Sequence, residues 1–182
     1  IVQLGVRSID AAEKHHVIRS GMAVYDMRRI DENGMRWAME EILDRLCALG
    51  GHVHVSLDVD FLDPSIAPGV ATTVSGGPTY REAQLCMEMI YDSGLMGSLD
   101  VMELNPAFDL RNRTAELIVE LVQSLFGEQR ARRRPLKVTP LCLCARRQAG
   151  RSGGNQVSAD PRAAVMADKL QNLLDIEAEL GA

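Results

Sequence analysis

Short apolar runs alternate with longer amphipathic segments across the first 128 residues, and no other feature constrains the fold of this chain as strongly. Residues 1–6, 22–27, 52–58 and 97–104 are the apolar runs, brief and rich in Val, Leu and Ile, as buried strands are. Residues 10–20, 31–49, 79–92 and 114–126 repeat apolar side chains at three- and four-residue spacing and read as helices. The most regular is 31–49. There Met35, Ala38, Met39, Ile42, Leu43, Leu46 and Leu49 share a face, Asp31 offers an N-cap, and Gly50-Gly51 ends the pattern. Thr79 followed three residues on by Glu82 is a capping-box signature for the next helix. Regular alternation of strand and helix predicts βαβ units with a parallel sheet, an α/β fold whose functional groups gather at the carboxyl ends of the strands.

Charge divides the chain at one point. Residues 1–128 hold 10 Lys and Arg against 20 Asp and Glu, whereas residues 129–182 hold 10 against 5. Residues 129–159 contain eight basic side chains and no acid, include Arg132-Arg133-Arg134-Pro135, and lack sustained periodicity, so they read as a basic linker or disordered arm. Helical spacing returns in 160–182 through Val165, Met166, Leu170, Leu173, Leu174 and Ile176, which predicts a terminal helix of unassigned role. No aromatic residue follows Phe126 to stack on a base, so nucleic acid is not an expected partner. No run is long and apolar enough for a membrane span and no signal-peptide pattern is present, so the expectation is a cytoplasmic protein. Cys47 and Cys86 fall on apolar helix faces and read as buried thiols, and Cys142-Leu143-Cys144 lacks the spacing of a Cys-x-x-Cys site. The chain opens on Ile1 inside an apolar run rather than on Met, which suggests a cut N-terminus.

The segment that carries chemistry is Ser56-Leu57-Asp58-Val59-Asp60-Phe61-Leu62-Asp63-Pro64-Ser65-Ile66-Ala67-Pro68-Gly69. Asp58 and Asp60 lie two apart at the end of an expected strand. In an extended chain that spacing turns both carboxylates to one side, where hard oxygen donors suit Mg²⁺ or Mn²⁺. A bare Asp-x-Asp more often only ends a strand and caps a turn. The longer string decides otherwise, because it resembles the ureohydrolase signature Ser-x-Asp-x-Asp-x-x-Asp-Pro-x-x-x-Pro-Gly at every fixed position. The likeness extends through Ile1 to Ser8, Val24-Tyr25-Asp26-Met27, Gly76 to Glu82, and Met102-Glu103-Leu104-Asn105-Pro106. Within that family, the Glu-x-Asn-Pro form and the opening are similar to arginases more than to agmatinases.

The resemblance implies a three-layer α/β/α arginase-like fold, represented here by its C-terminal half over residues 1–128 and truncated on the N-terminal side. It implies hydrolysis of the L-arginine guanidinium to L-ornithine and urea by a hydroxide held between two Mn²⁺ ions, the hydrolase chemistry of arginine metabolism and the urea cycle. Asp58 would bridge the two ions, Asp60 would chelate one, Glu103 would pair with the guanidinium, and Thr72 matches a position near it. A homo-oligomer, trimer or hexamer, is implied for the intact enzyme, with Arg81-Glu82 matching a pair at subunit contacts in some arginases. The His-x-Asp-x-His-x-Asp ligands of the family do not occur in this sequence, and His15, His16, His52 and His54 read as structural or surface residues. With two of six ligands, the isolated chain is expected to be inactive. Agmatinase is the alternative enzyme, and a non-catalytic assembly or interaction module is the alternative of another class. Phe61 stands where many relatives have Gly, and Ala71 where Gly is common.

Overall fold

A computed structural model describes residues 1–128, and the readings made for 129–182 lie outside the described residues. Four strands and five helices follow in the order β1 (Val2–Val6), α1 (Ala11–Ser20), β2 (Ala23–Asp26), α2 (Met27–Asn33), α3 (Met35–Leu49), β3 (Val53–Asp58), α4 (Tyr80–Ser93), β4 (Met96–Met102) and α5 (Arg113–Leu125). Short 3-10 turns at Val59–Phe61 and Pro106–Phe108 follow β3 and β4. The alternation is the one the apolar pattern predicts.

Local chemistry accounts for most boundaries. The Asp10 carboxylate accepts the Glu13 amide at 2.8 Å and starts α1, which ends at Gly21 in the left-handed region. Thr79 and Glu82 form the expected capping box, with the Thr79 amide donating to Glu82 Oε2 at 2.8 Å. One expectation fails. Asp31 caps nothing, because it lies inside α2, and the cap is Asp26, whose carboxylate accepts the Arg29 amide at 2.8 Å. Gly34, at φ 93°, then separates α2 from α3, so the single helix expected from residue 31 is two.

The strands are parallel as expected, but they form two pairs, β1 with β2 and β3 with β4, rather than one continuous sheet. Phe61 stands between the two pairs. The β1 register shifts between Leu4 and Val6, and the ring of Phe61 lies against Gly5 so closely that an added Cβ would sit 2.3 Å from it. Two apolar cores correspond to the two pairs. One joins Leu57 of β3 to Ala83 and Met87 of α4 and to Ile118, Leu121, Val122 and Leu125 of α5. The other joins Tyr25 of β2 to Ile30, Met35, Ala38, Met39, Ile42 and Cys86. Phe61 and Ile90 pack against both. Cys86 is a buried free thiol, as expected, and Cys47 is buried on α3, as expected. Among the described residues no helix is long and apolar enough to cross a membrane.

Candidate functional site

The parallel pairing of β3 with β4 sets Asp58, the last residue of β3, beside Met102, the last of β4. Asp58, Asp60 and Glu103 all lie at or just beyond that edge. Val59 and Leu62 are completely buried and anchor the chain immediately after Asp58. The backbone between them is a 3-10 turn rather than extended strand, so Asp60 reaches the Asp58 side by a turn, not by pleat alternation as the spacing suggested. The Asp58 carboxylate accepts the Asp60 amide at 3.3 Å and caps the turn.

Arg7, just beyond β1, holds the turn from the other side. Its guanidinium donates to the Phe61 carbonyl at 2.6 Å and to the Asp60 carbonyl. Burial, and then the neighbouring Asp58 charge, raise the pKa of Asp60; Glu103 adds to the rise and Arg7 opposes it. The structure therefore brings Asp58, Asp60 and Glu103 into one electrostatic neighbourhood. Glu103 carries a second mark, a φ of 65° that non-glycine residues adopt at a conformational cost.

The long loop after β3 is pinned to the same edge. Val70 and Leu104 form an isolated antiparallel bridge, and the Asn105 amide donates to the Gly69 carbonyl at 2.8 Å. Gly69 admits no side chain, because a Cβ there would meet Asp109 and Thr114 below 3.0 Å. Thr72 lies two residues past the bridge and is exposed. Asp63 staples the loop internally, accepting the Gly76 amide at 2.8 Å and the Ser65 amide at 3.0 Å. Hydrogen bonds from Ser65, then from Gly76 and Gly77, lower its pKa to about 2. Sequence reasoning assigned no role to Arg7 or Asp63, although both lie in segments quoted for the family likeness; a charged residue at a strand exit and an Asp-Pro followed by Gly-Gly were the available signals.

The histidines stay outside this group. His54 Nδ1 is 2.8 Å from Ser98 Oγ and its Nε2 is 3.1 Å from Asp100 Oδ2, an exposed network across β3 and β4. The Ser56 hydroxyl, and then His54, hold Asp100 below the usual carboxylate range. His15 and His16 are exposed on α1. Of the pair matched to subunit contacts, Glu82 serves the α4 cap and Arg81 donates to Gln84 Oε1.

Two adjacent carboxylates that repel are apt donors for a hard divalent cation, whose charge would relieve the repulsion. Among the described residues no group of three or more His, Cys, Asp or Glu side chains is placed to hold a metal ion. Asp58 and Asp60 thus fit as part of a donor set rather than as a whole one.

Comparison with known proteins decides the family. The model of the Arginase family matches residues 1–127. The chain belongs to the arginase family. The arginase of Brucella melitensis is 56% identical over 127 residues, which cover 70% of this chain and 42% of the relative. The arginase structure from Bacillus caldovelox superposes with a TM-score of 0.70 at 46% identity, covering 71% of this chain and 44% of that one. The Entamoeba histolytica arginase, solved in complex with L-ornithine, gives a TM-score of 0.65 at 25% identity over 70% of this chain and 42% of that one. The chain thus spans about two fifths of the length of the curated arginases it matches. The arginase-like α/β fold expected from the motifs is the fold of these structures.

Proposed function

We propose that residues 1–128 supply part of the active site of an arginase-type amidine hydrolase, which converts L-arginine to L-ornithine and urea at a binuclear manganese centre. The observation that carries this reading is the convergence of Asp58, Asp60 and Glu103 at the carboxyl ends of β3 and β4 in a chain of the arginase family. Asp58 would bridge two Mn²⁺ ions and Asp60 would hold one of them. When bound, the metals supply a water molecule of lowered pKa for attack on the guanidinium carbon. Glu103, a carboxylate able to accept two N–H bonds from a planar guanidinium, would orient the substrate, with the Thr72 hydroxyl beside it. Arg7 keeps the Val59–Phe61 turn in the geometry that presents Asp60.

The described residues offer two metal donors, so the chain by itself is proposed to be inactive. The intact enzyme would be a cytoplasmic trimer or hexamer. The test has two arms. With added Mn²⁺ and L-arginine, the 182-residue chain should release no urea above background. A chimera in which residues 1–128 replace the matching stretch of the Brucella melitensis arginase should release urea from L-arginine, and Asp58→Ala should abolish this. A folded chimera without activity, or a chain active alone at an ordinary arginase rate, would overturn the reading. Preference of the chimera for agmatine over arginine would move the assignment to agmatinase.

A further inference from the structure

Away from the carboxylate cluster, α2 and α3 meet over the end of β2 in a group of four side chains with a specific chemistry. The Arg29 guanidinium carbon sits 4.7 Å from the Tyr25 ring centroid and 4.9 Å from that of Trp37. The two rings meet edge to face, with centroids 6.2 Å apart and planes at 60°. Glu41, one turn beyond Trp37 on α3, places Oε2 at 3.2 Å from Arg29 Nη2 and at 3.2 Å from the Tyr25 hydroxyl. Two π faces and a carboxylate, one ring fixed by a hydrogen bond to that carboxylate, are the elements of a receptor for a planar delocalised cation.

The occupant is the protein's own side chain. Arg29 has its backbone pinned by the Asp26 cap, yet its side chain is 46% exposed and Glu41 is 43% exposed, so the cage opens to solvent. Tyr25, by contrast, is buried, and burial followed by Glu41 raises its pKa, which keeps the phenol a donor to Glu41. Tyr25 is therefore the buried wall, while Arg29 and Glu41 meet solvent to a similar degree. The geometry points to Tyr25, Trp37 and Glu41 as a guanidinium-binding cage on the surface, filled at rest by Arg29 and able to take an alkylguanidinium from solution in its place. This inference is independent of the proposed metal site, since none of its residues belongs to the β3–β4 edge.

The test uses the full chain, whose one tryptophan is Trp37, so that its fluorescence reports the cage alone. Methylguanidinium should quench Trp37 saturably in Arg29→Ala, at a half-saturation concentration at least about tenfold below that of the unmutated chain, because a tethered side chain competes at a millimolar effective concentration. Urea, a planar neutral analogue, should produce no saturable change, and adding Glu41→Gln should weaken the response. In the unmutated chain, saturating methylguanidinium should move the Arg29 Nε resonance to its free-chain position, a measurement that stands if Arg29→Ala fails to fold. A resonance that stays in place, an Arg29→Ala chain that folds but does not respond, or an equal response to urea would overturn the inference.

Discussion

Glu103 is the residue at which backbone and side chain make opposite demands. Its φ of 65° suits glycine, while its negative charge helps to raise the pKa of Asp60. Strained positions of this kind cluster at functional sites. Glu103→Gly is therefore expected to be more stable than Glu103→Ala by about 1 kcal/mol, measured as the difference in urea midpoints, because only glycine relieves the conformation. Equal midpoints would show that no strain is stored there. Asp63 makes a different kind of statement. Its pKa of about 2 lies below the ordinary 3.8, so the ionised form is favoured by folding. The stability it contributes is fully present above about pH 4 and disappears as pH falls through about 2. Asp63→Asn should flatten the acid limb of a plot of urea midpoint against pH while changing little of its shape above pH 5; an unchanged acid limb would mean that the loop staple does not persist in solution.

At the scale of elements, the sequence was most legible where a local rule and the apolar period agreed. The Thr79–Glu82 box marks the start of α4 in the sequence itself, and Thr79→Ala should lower stability by about 1 kcal/mol, a fall in Tm of about 4 °C on a thermal scan monitored by circular dichroism. An unshifted Tm would mean that α4 is held by its packing on α3 and α5 alone. Legibility failed where two rules competed. Asp31 satisfied a capping pattern, but Asp26 lay at the correct distance from Arg29 and Gly34 broke the helix, so the true boundary came five residues earlier. Asp58 and Asp60 lie side by side, but by a different route from the one their spacing suggests. Period-two reasoning assumed an extended strand, whereas buried Val59 and the Arg7 bonds bend the chain into a 3-10 turn that presents the same two carboxylates. Nothing in Met102-Glu103-Leu104 announced a positive φ, because that conformation is imposed by the Val70–Leu104 bridge and the Asn105–Gly69 bond, contacts between loops distant in sequence.

For the molecule as a whole, periodicity identified parallel strands and their helices but not that they would pair as two units. Strand order is set by contacts between segments distant in sequence, which a one-dimensional pattern does not rank. Phe61 is the informative case, since it fills space over Gly5 of β1 while also touching the β3–β4 core. Gly5 and Phe61 are thus a matched pair, one supplying room and the other the ring. Removing the ring should loosen the connection without dissolving either core, because each retains its own buried residues. Phe61→Ala is expected to cost about 2 kcal/mol, below the range for a fully buried aromatic because Phe61 is only partly buried. Hydrogen exchange locates the effect. Amides of β1 and β2, a four-residue strand pairing with few neighbours of its own, should lose protection selectively, while those of β3 and β4 stay near their original values. A uniform loss across all four strands would mean instead that the two pairs unfold as one cooperative unit, with Ile90 sufficient to couple them.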